Sequence, residues 1–138
     1  MSKESNVATA MLVGEIGAAR DWERFGEVYA DDFVDHDGAA GQPAGLPGMK
    51  WFWRHFAAAF PDFEPALDVV PADDEYVTLV YRLSGTHAGE WEGHAPTGRR
   101  FEIRALQTSR FADGKVVERW GSCDMLGMYQ QLGLVASA

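Results

Sequence analysis

Apolar residues recur at three- and four-residue steps through the first part of the chain, as they do on one face of a helix. Between residues 6 and 29 this spacing predicts two helices or one bent helix, with Asp21 as a second N-cap. The spacing returns from Leu46 to Phe60, where Pro61 ends the predicted helix. Residues 38–48 contain four glycines and two prolines and predict a loop.

The pattern then changes to that of strands. A short strand is predicted over residues 33–36, and longer ones over 66–71, 76–84, 101–111 and 115–123. Asp113-Gly114 predicts a tight hairpin, and Asp124 and Gly133 bracket a last short helix over 125–132. Helices that precede an antiparallel sheet indicate an α+β fold, and we expect one domain over residues 1–138. A curved sheet under such helices would enclose a cone, with Trp53 and Phe56 among its lining.

Charge and cysteine content narrow the expected partners. Twelve Lys and Arg against 21 Asp and Glu give a net charge of −9, which argues against nucleic acid and an anionic membrane surface as partners. No apolar stretch approaches the roughly 20 residues of a membrane span. Cys123 is the only cysteine, so an internal disulfide and a multi-cysteine metal site are excluded. These features predict a cytoplasmic protein.

Several short motifs follow one another along the second half of the chain. They are GTHAGE at 85–90, GHAPTGR at 93–99, FADGKVVE at 111–118, DMLG at 124–127 and QQLG at 130–133. In this order they resemble the SnoaL-like branch of the nuclear-transport-factor-2-like superfamily. The resemblance implies an α+β cone around an apolar cavity and a homodimer formed by paired sheets. It also implies the activity of a polyketide cyclase, which closes a ring by an intramolecular aldol step with neither a metal nor an organic cofactor. Relatives of this kind hydroxylate aromatic polyketides, also without a cofactor.

Two positions depart from the pattern that the resemblance implies. The cyclases carry an acid/base Asp three positions before the Asp that precedes the last helix, and a His on the neighbouring strand. Here those positions hold Gly121 and Gln107. A glycine cannot carry a proton, and an amide can only donate or accept hydrogen bonds.

Other residues are therefore candidates for the proton transfer. Asp124 matches the resemblance and is either a general base at the cavity mouth or the N-cap of the last helix. His36 lies between Asp35 and Asp37 and, on a strand, should face away from both; it is a proton carrier if it faces inward and a structural residue if it does not. Arg104, Gln107 and Arg119 are candidate donors to an enolate oxygen.

The remaining candidates would contact the ligand. Trp53 and Phe56, from an aromatic-rich helix, would line the cone, and Trp120 would contact the ligand or a second subunit. No metal ligands occur at the spacing of a known site. Arg104 is followed two residues later by Leu106, which argues against the Asp-Arg-Asp arrangement of limonene-epoxide hydrolases.

The sequence thus supports two classes of function. The first is an enzyme that acts without a cofactor on a hydrophobic, polycyclic or polyketide-like molecule, either as a cyclase or as a hydroxylase. The second is a module that binds such a small molecule without catalysis.

Overall fold

A computed structural model describes residues 2–136. Helix α1 (Lys3–Ala19) begins at Ser2, whose side chain accepts from the Ser5 amide, and it ends at Arg20, which has a left-handed backbone. A 3-10 helix (Trp22–Glu27) follows, so the predicted bend between two helical segments is confirmed. The helical prediction was wrong at Tyr29, where strand β1 (Tyr29–Asp35) starts, because Tyr29 and Phe33 face the core from that strand.

Helix α2 (Gly45–Ala59) starts inside the predicted loop and ends two residues before Pro61. Pro47 lies in its first turn, where a backbone N–H has no helical partner to lose. The helix carries the predicted aromatic side chains and packs on β1 and the 3-10 helix.

Five strands form one curved, open sheet in the order β1-β5-β4-β3-β2. The further strands are β2 (Glu64–Val69), β3 (Tyr76–Thr86), β4 (Arg100–Ala112) and β5 (Lys115–Cys123), and helix α3 (Met125–Gln131) follows. Most neighbours are antiparallel as predicted, but β1 pairs with β5 in parallel. Asp113 and Gly114, with φ of 51° and 80°, form the predicted hairpin turn.

A β-bulge in β5 decides which of its side chains face the helices. Arg110 is opposite Glu118, whereas Phe111 is opposite Val116, so Val117 is an extra residue. Beyond the bulge Arg119 lies opposite Ser109 on the inner face, while Glu118 lies with Arg110 on the outer face.

The core fills the space between the helices and the inner face of the sheet in two hydrophobic clusters. One gathers around α1 and β1, and the other around α2, β4 and α3. Trp53 packs against both. None of the helices in the described range is long and apolar enough to cross a membrane.

Candidate active site

Two cavities lie between the helices and the inner face of the sheet. The larger cavity, about 380 Å³, is enclosed by α2, α3, strands β3, β4 and β5, and the loop between β1 and α2. The smaller cavity, about 150 Å³, lies under α1. Trp53 and Tyr81 line both cavities and so form a wall between them. Most other lining side chains are apolar, so a hydrophobic molecule is the ligand that the larger cavity suits.

One cationic side chain, Arg119, lines the larger cavity. Its Nη1 lies 2.9 Å from Asp35 Oδ1, and its Nε donates to Gln107 Oε1 at 2.9 Å. Strand register produces this arrangement, since Asp35 is the partner of Arg119 across β1 and β5. No residue in the range 2–136 accepts a hydrogen bond from Nη2, so this nitrogen is free to donate to a molecule in the cavity.

The surroundings of Arg119 keep it charged. Burial alone would lower its pKa, but the Asp35 carboxylate and the two neighbouring phenols, Tyr29 and Tyr81, raise it above the ordinary value. Burial also raises the pKa of both phenols, although the Arg119 charge opposes that shift. At neutral pH the guanidinium is therefore charged and both phenols are neutral.

Asp37 adds a second carboxylate to the larger cavity. Its Oδ2 accepts the backbone N–H of Gly121 at 2.9 Å, and its own N–H donates to Asp35 Oδ1 at 3.1 Å. Asp37 Oδ1 accepts no hydrogen bond from the described residues. Asp35 is held more firmly, since its Oδ2 also accepts from Gln42 Nε2 at 3.3 Å. Of Asp35 and Asp37, the two carboxylates beside Arg119, Asp37 is thus the one with an oxygen free to remove a proton.

Four predicted site residues line a cavity. Trp53 and Phe56 line the larger cavity from α2, and Arg119 does so from β5. Gln107 is 6% exposed and lines the smaller cavity. The structure therefore brings Gln107 and Arg119 together, and it places the aromatic pair within the same enclosure.

His36 and Trp120 lie on the outer face of the sheet and line neither cavity. The His36 ring stacks on Trp120 with ring centroids 4.9 Å apart, and its Nε2 lies 2.8 Å from Glu118 Oε2. Hydrogen bonds from His36 and Arg110 lower the pKa of Glu118. Strand alternation explains the placement, because Asp35 faces inward.

Arg104 and Asp124 also lie outside both cavities. Arg104 occupies an outward position of β4, 3.8 Å from Asp68. Asp124 is exposed, and its Oδ1 accepts from the Gly127 amide at 2.8 Å, as expected of an N-cap. The suggested roles, a donor to an enolate oxygen for Arg104 and a general base for Asp124, stay predictions without a geometric basis in this structure.

Asp35, Asp37 and Tyr81 line the larger cavity but are absent from the residues that the sequence singled out for catalysis. Alternation along β1 could have found the two carboxylates, since an outward His36 implies inward neighbours. Tyr81 carried no such signal, because its position on the inner face depends on the register of β3.

The connector between β3 and β4 covers one side of the larger cavity with Trp91 and Glu92. His87 holds this connector in shape, because its Nδ1 accepts from the Thr97 amide at 3.2 Å. Tyr129 donates to Glu92 from α3. Across residues 2–136, no three His, Cys, Asp or Glu side chains come together in an arrangement that could hold a metal ion.

Comparison with known proteins places this geometry in a family. A profile described as SnoaL-like polyketide cyclase matches residues 9–132. The aklanonic acid methyl ester cyclase AcmA of Streptomyces galilaeus is 43% identical over 51 residues, which are 37% of this chain and only 35% of that protein.

Among the solved structures that match this chain are two that cover nearly all of it. IdmH of Streptomyces antibioticus, a candidate polyketide cyclase, is 33% identical with a TM-score of 0.80, over 93% of this chain and 98% of that one. AclR of Streptomyces galilaeus, a candidate hydroxylase, is 26% identical with a TM-score of 0.80, over 99% of this chain and 86% of that one. The chain therefore belongs to the SnoaL-like polyketide cyclase family, with the nuclear-transport-factor-2-like fold.

Proposed function

We propose that this protein is a cofactor-independent enzyme that binds a hydrophobic, polycyclic polyketide in the larger cavity and closes a ring by an intramolecular aldol reaction. One observation carries the proposal: a guanidinium, fixed by Asp35 and Gln107, presents a free N–H edge in an otherwise largely apolar cavity. Such a fixed donor is worth most where negative charge develops away from water.

The reaction can be followed on these side chains. Asp37 removes a proton from a carbon between two carbonyl groups of the substrate, and Arg119 Nη2 donates to the enolate oxygen that results. The enolate carbon attacks a ketone of the same molecule, so that one C–C bond forms and the ketone oxygen becomes an alkoxide. The protonated Asp37 then returns its proton to the alkoxide. The product is an isomer of the substrate, so the reaction consumes neither oxidant nor reductant.

In this scheme Gln107 and Gly121 position Arg119. Gln107 accepts from Arg119 Nε, and Gly121 leaves the space that the guanidinium occupies, since a β-carbon there would come within 2.6 Å of Nη2. A cationic donor thus occupies the region where the resemblance implied an acid. Trp53 and Phe56 would pack against the rings of the substrate.

A direct test offers the substrate in the name of the relative AcmA, aklanonic acid methyl ester, to the purified protein. We expect an isomer of unchanged mass, with kcat reduced about 10²- to 10³-fold by Arg119→Met. Arg82→Gln, on the outer face beside Asp68, is the matched control and should leave kcat unchanged. Tight binding without any product would overturn the enzyme in favour of a binding module.

Hydroxylation is the second candidate, and the similarity to AclR favours it. The same enolate could react with dioxygen: a C–O bond forms with both electrons from the carbanion, and the proton held by Asp37 completes a hydroperoxide. An external two-electron reductant, such as a thiol, would then cleave the O–O bond to leave the hydroxyl group and water. Incorporation of ¹⁸O from labelled dioxygen would distinguish it from ring closure, which adds no oxygen.

We also propose that two copies pair through the outer face of the sheet. Val34, Tyr76 and Leu106 are exposed on or beside this face, and Trp120 is half-buried there. Exposed apolar side chains grouped on one surface favour association. Sedimentation of wild-type protein should show a dimer at micromolar concentration and Leu106→Glu a monomer; a monomeric wild type would contradict the pairing.

A cytoplasmic location is proposed on the chemistry of Cys123, the single cysteine of the chain. It lines the larger cavity, and burial raises the pKa of its thiol, so the thiol stays protonated at neutral pH. A free thiol suits a reducing compartment. Fractionation of the producing cells would check the location.

A further inference from the structure

The smaller cavity has features of a separate ligand site. Its volume, about 150 Å³, equals that of an engineered apolar cavity that binds benzene. It opens beside α1 and β2, where Met11 and Leu67 are 46% and 42% exposed. Trp53 and Tyr81 separate it from the larger cavity.

Gln107 provides the polar group of this cavity. Arg119 Nε can only donate, so the amide oxygen of Gln107 must face it, and the amide nitrogen Nε2 must point away. Gln107 is 6% exposed and lines only the smaller of the two cavities. Its Nε2 donates to no residue within 2–136. This amide nitrogen is therefore a free donor in a residue that lines an otherwise largely apolar cavity, and a ligand oxygen there could accept from it.

We propose that the smaller cavity binds a neutral aliphatic ketone or ester group of about six carbons, with its carbonyl oxygen on Gln107 Nε2. The apolar walls exclude a charged ligand, and the amide donor selects one that carries an acceptor oxygen. This binding goes beyond the proposed reaction and does not depend on it. It would also bias the reaction site, since the same amide holds Arg119 in the larger cavity.

The probe is 2-hexanone, titrated into protein with ¹³C-labelled methionine methyl groups. Met11 lines the smaller cavity, whereas Met49, Met125 and Met128 line the larger one, so the methyl spectrum reports where the probe binds. We expect a saturable shift of the Met11 methyl alone. No saturable shift, or shifts only at the other three methionines, would overturn the proposal.

Gly14 offers a matched pair of variants. It lies on the rim of the smaller cavity, and a β-carbon there meets no atom within 4 Å. Both Gly14→Ala and Gly14→Leu raise helix propensity, but only leucine obstructs the opening. We expect alanine to keep the affinity within about twofold and leucine to weaken it at least about tenfold. Equal affinities for the two variants would contradict the site.

Gln107→Glu tests the hydrogen bond itself. The glutamate can still accept from Arg119 with one oxygen, but its other oxygen replaces the Nε2 donor. We expect the affinity for 2-hexanone to fall about tenfold while the circular dichroism spectrum stays that of the wild type. Unchanged affinity would show that the carbonyl does not bind Gln107.

Discussion

The guanidinium of Arg119 lies against Gly121 so closely that a β-carbon at position 121 would come within 2.6 Å of Nη2 and 2.9 Å of Cζ. Because Asp35 and Gln107 hold the same guanidinium, it cannot withdraw without breaking a hydrogen bond. Arg119 can therefore occupy its observed position only because residue 121 is a glycine and not an acid.

Gly121→Ala should accordingly destabilise the protein although it adds one carbon atom. We expect the free energy of unfolding in urea to fall by about 1–3 kcal/mol, the cost of overpacking or of a lost charged hydrogen bond. In an Arg119→Met background the same substitution should cost less, because the guanidinium that the new β-carbon would contact is absent. An equal cost in both backgrounds would contradict the contact.

Asp35→Asn should leave Arg119 charged and without its ionic partner. Breaking a buried pair by removing one member costs about 3 kcal/mol or more, and the Asp35 side chain is only 8% exposed. Urea denaturation measures this loss. Asp68→Asn, which breaks the more exposed pair with Arg82, should cost no more than about 1 kcal/mol. Removing Arg119 together with Asp35 should recover part of the loss, and the absence of any recovery would refute a coupled pair.

Acid sensitivity should depend on Asp62, at the turn before β2. The hydroxyl and backbone N–H of Thr86 donate to its carboxylate, each at 2.7 Å, and lower its pKa. A carboxylate with a lowered folded-state pKa stabilises the protein above the unfolded value of about 3.9, and that contribution is lost as the pH falls through the folded pKa. Thr86→Val should therefore flatten the decline of thermal stability in this range. An unchanged pH profile would show that the Thr86 hydroxyl contributes nothing.

Asp124→Ala should remove the cap of α3. The loss of an N-cap costs about 1 kcal/mol, whereas Asn accepts the same amide hydrogen bond and should preserve stability. Thermal unfolding compares the three proteins. Equal stabilities of the Ala and Asn variants would mean that the hydrogen bond to Gly127 does not stabilise the helix.

Much of the architecture could be predicted because it depends on local patterns. Helical spacing, Pro61 and the Asp113-Gly114 turn predict where elements lie, and alternation predicts that His36 and Asp35 face opposite ways. The parallel pairing of β1 could not be predicted, since nothing local to β1 names its partner strand.

The site was harder to predict because it, too, depends on which strands pair and in which register. Whether Arg104 or Arg119 faces the cavity depends on register across three strands and on Val117, the extra residue of β5. Gln107 was predicted as a binding residue, but its bond to Arg119 joins side chains on two different strands.

The bulge at Val117 has a consequence for how such proteins diversify. If β5 instead paired regularly, with Val117 opposite Arg110, every position beyond it would turn over: Glu118 and Trp120 would point toward the helices and Arg119 toward solvent. Closing the bulge would thus exchange a cationic pocket for an acidic, indole-lined one, whereas deleting Val117 would leave Arg119 opposite Ser109 and the pocket as it is. New chemistry in this scaffold can arise from a change in strand pairing as readily as from the replacement of residues.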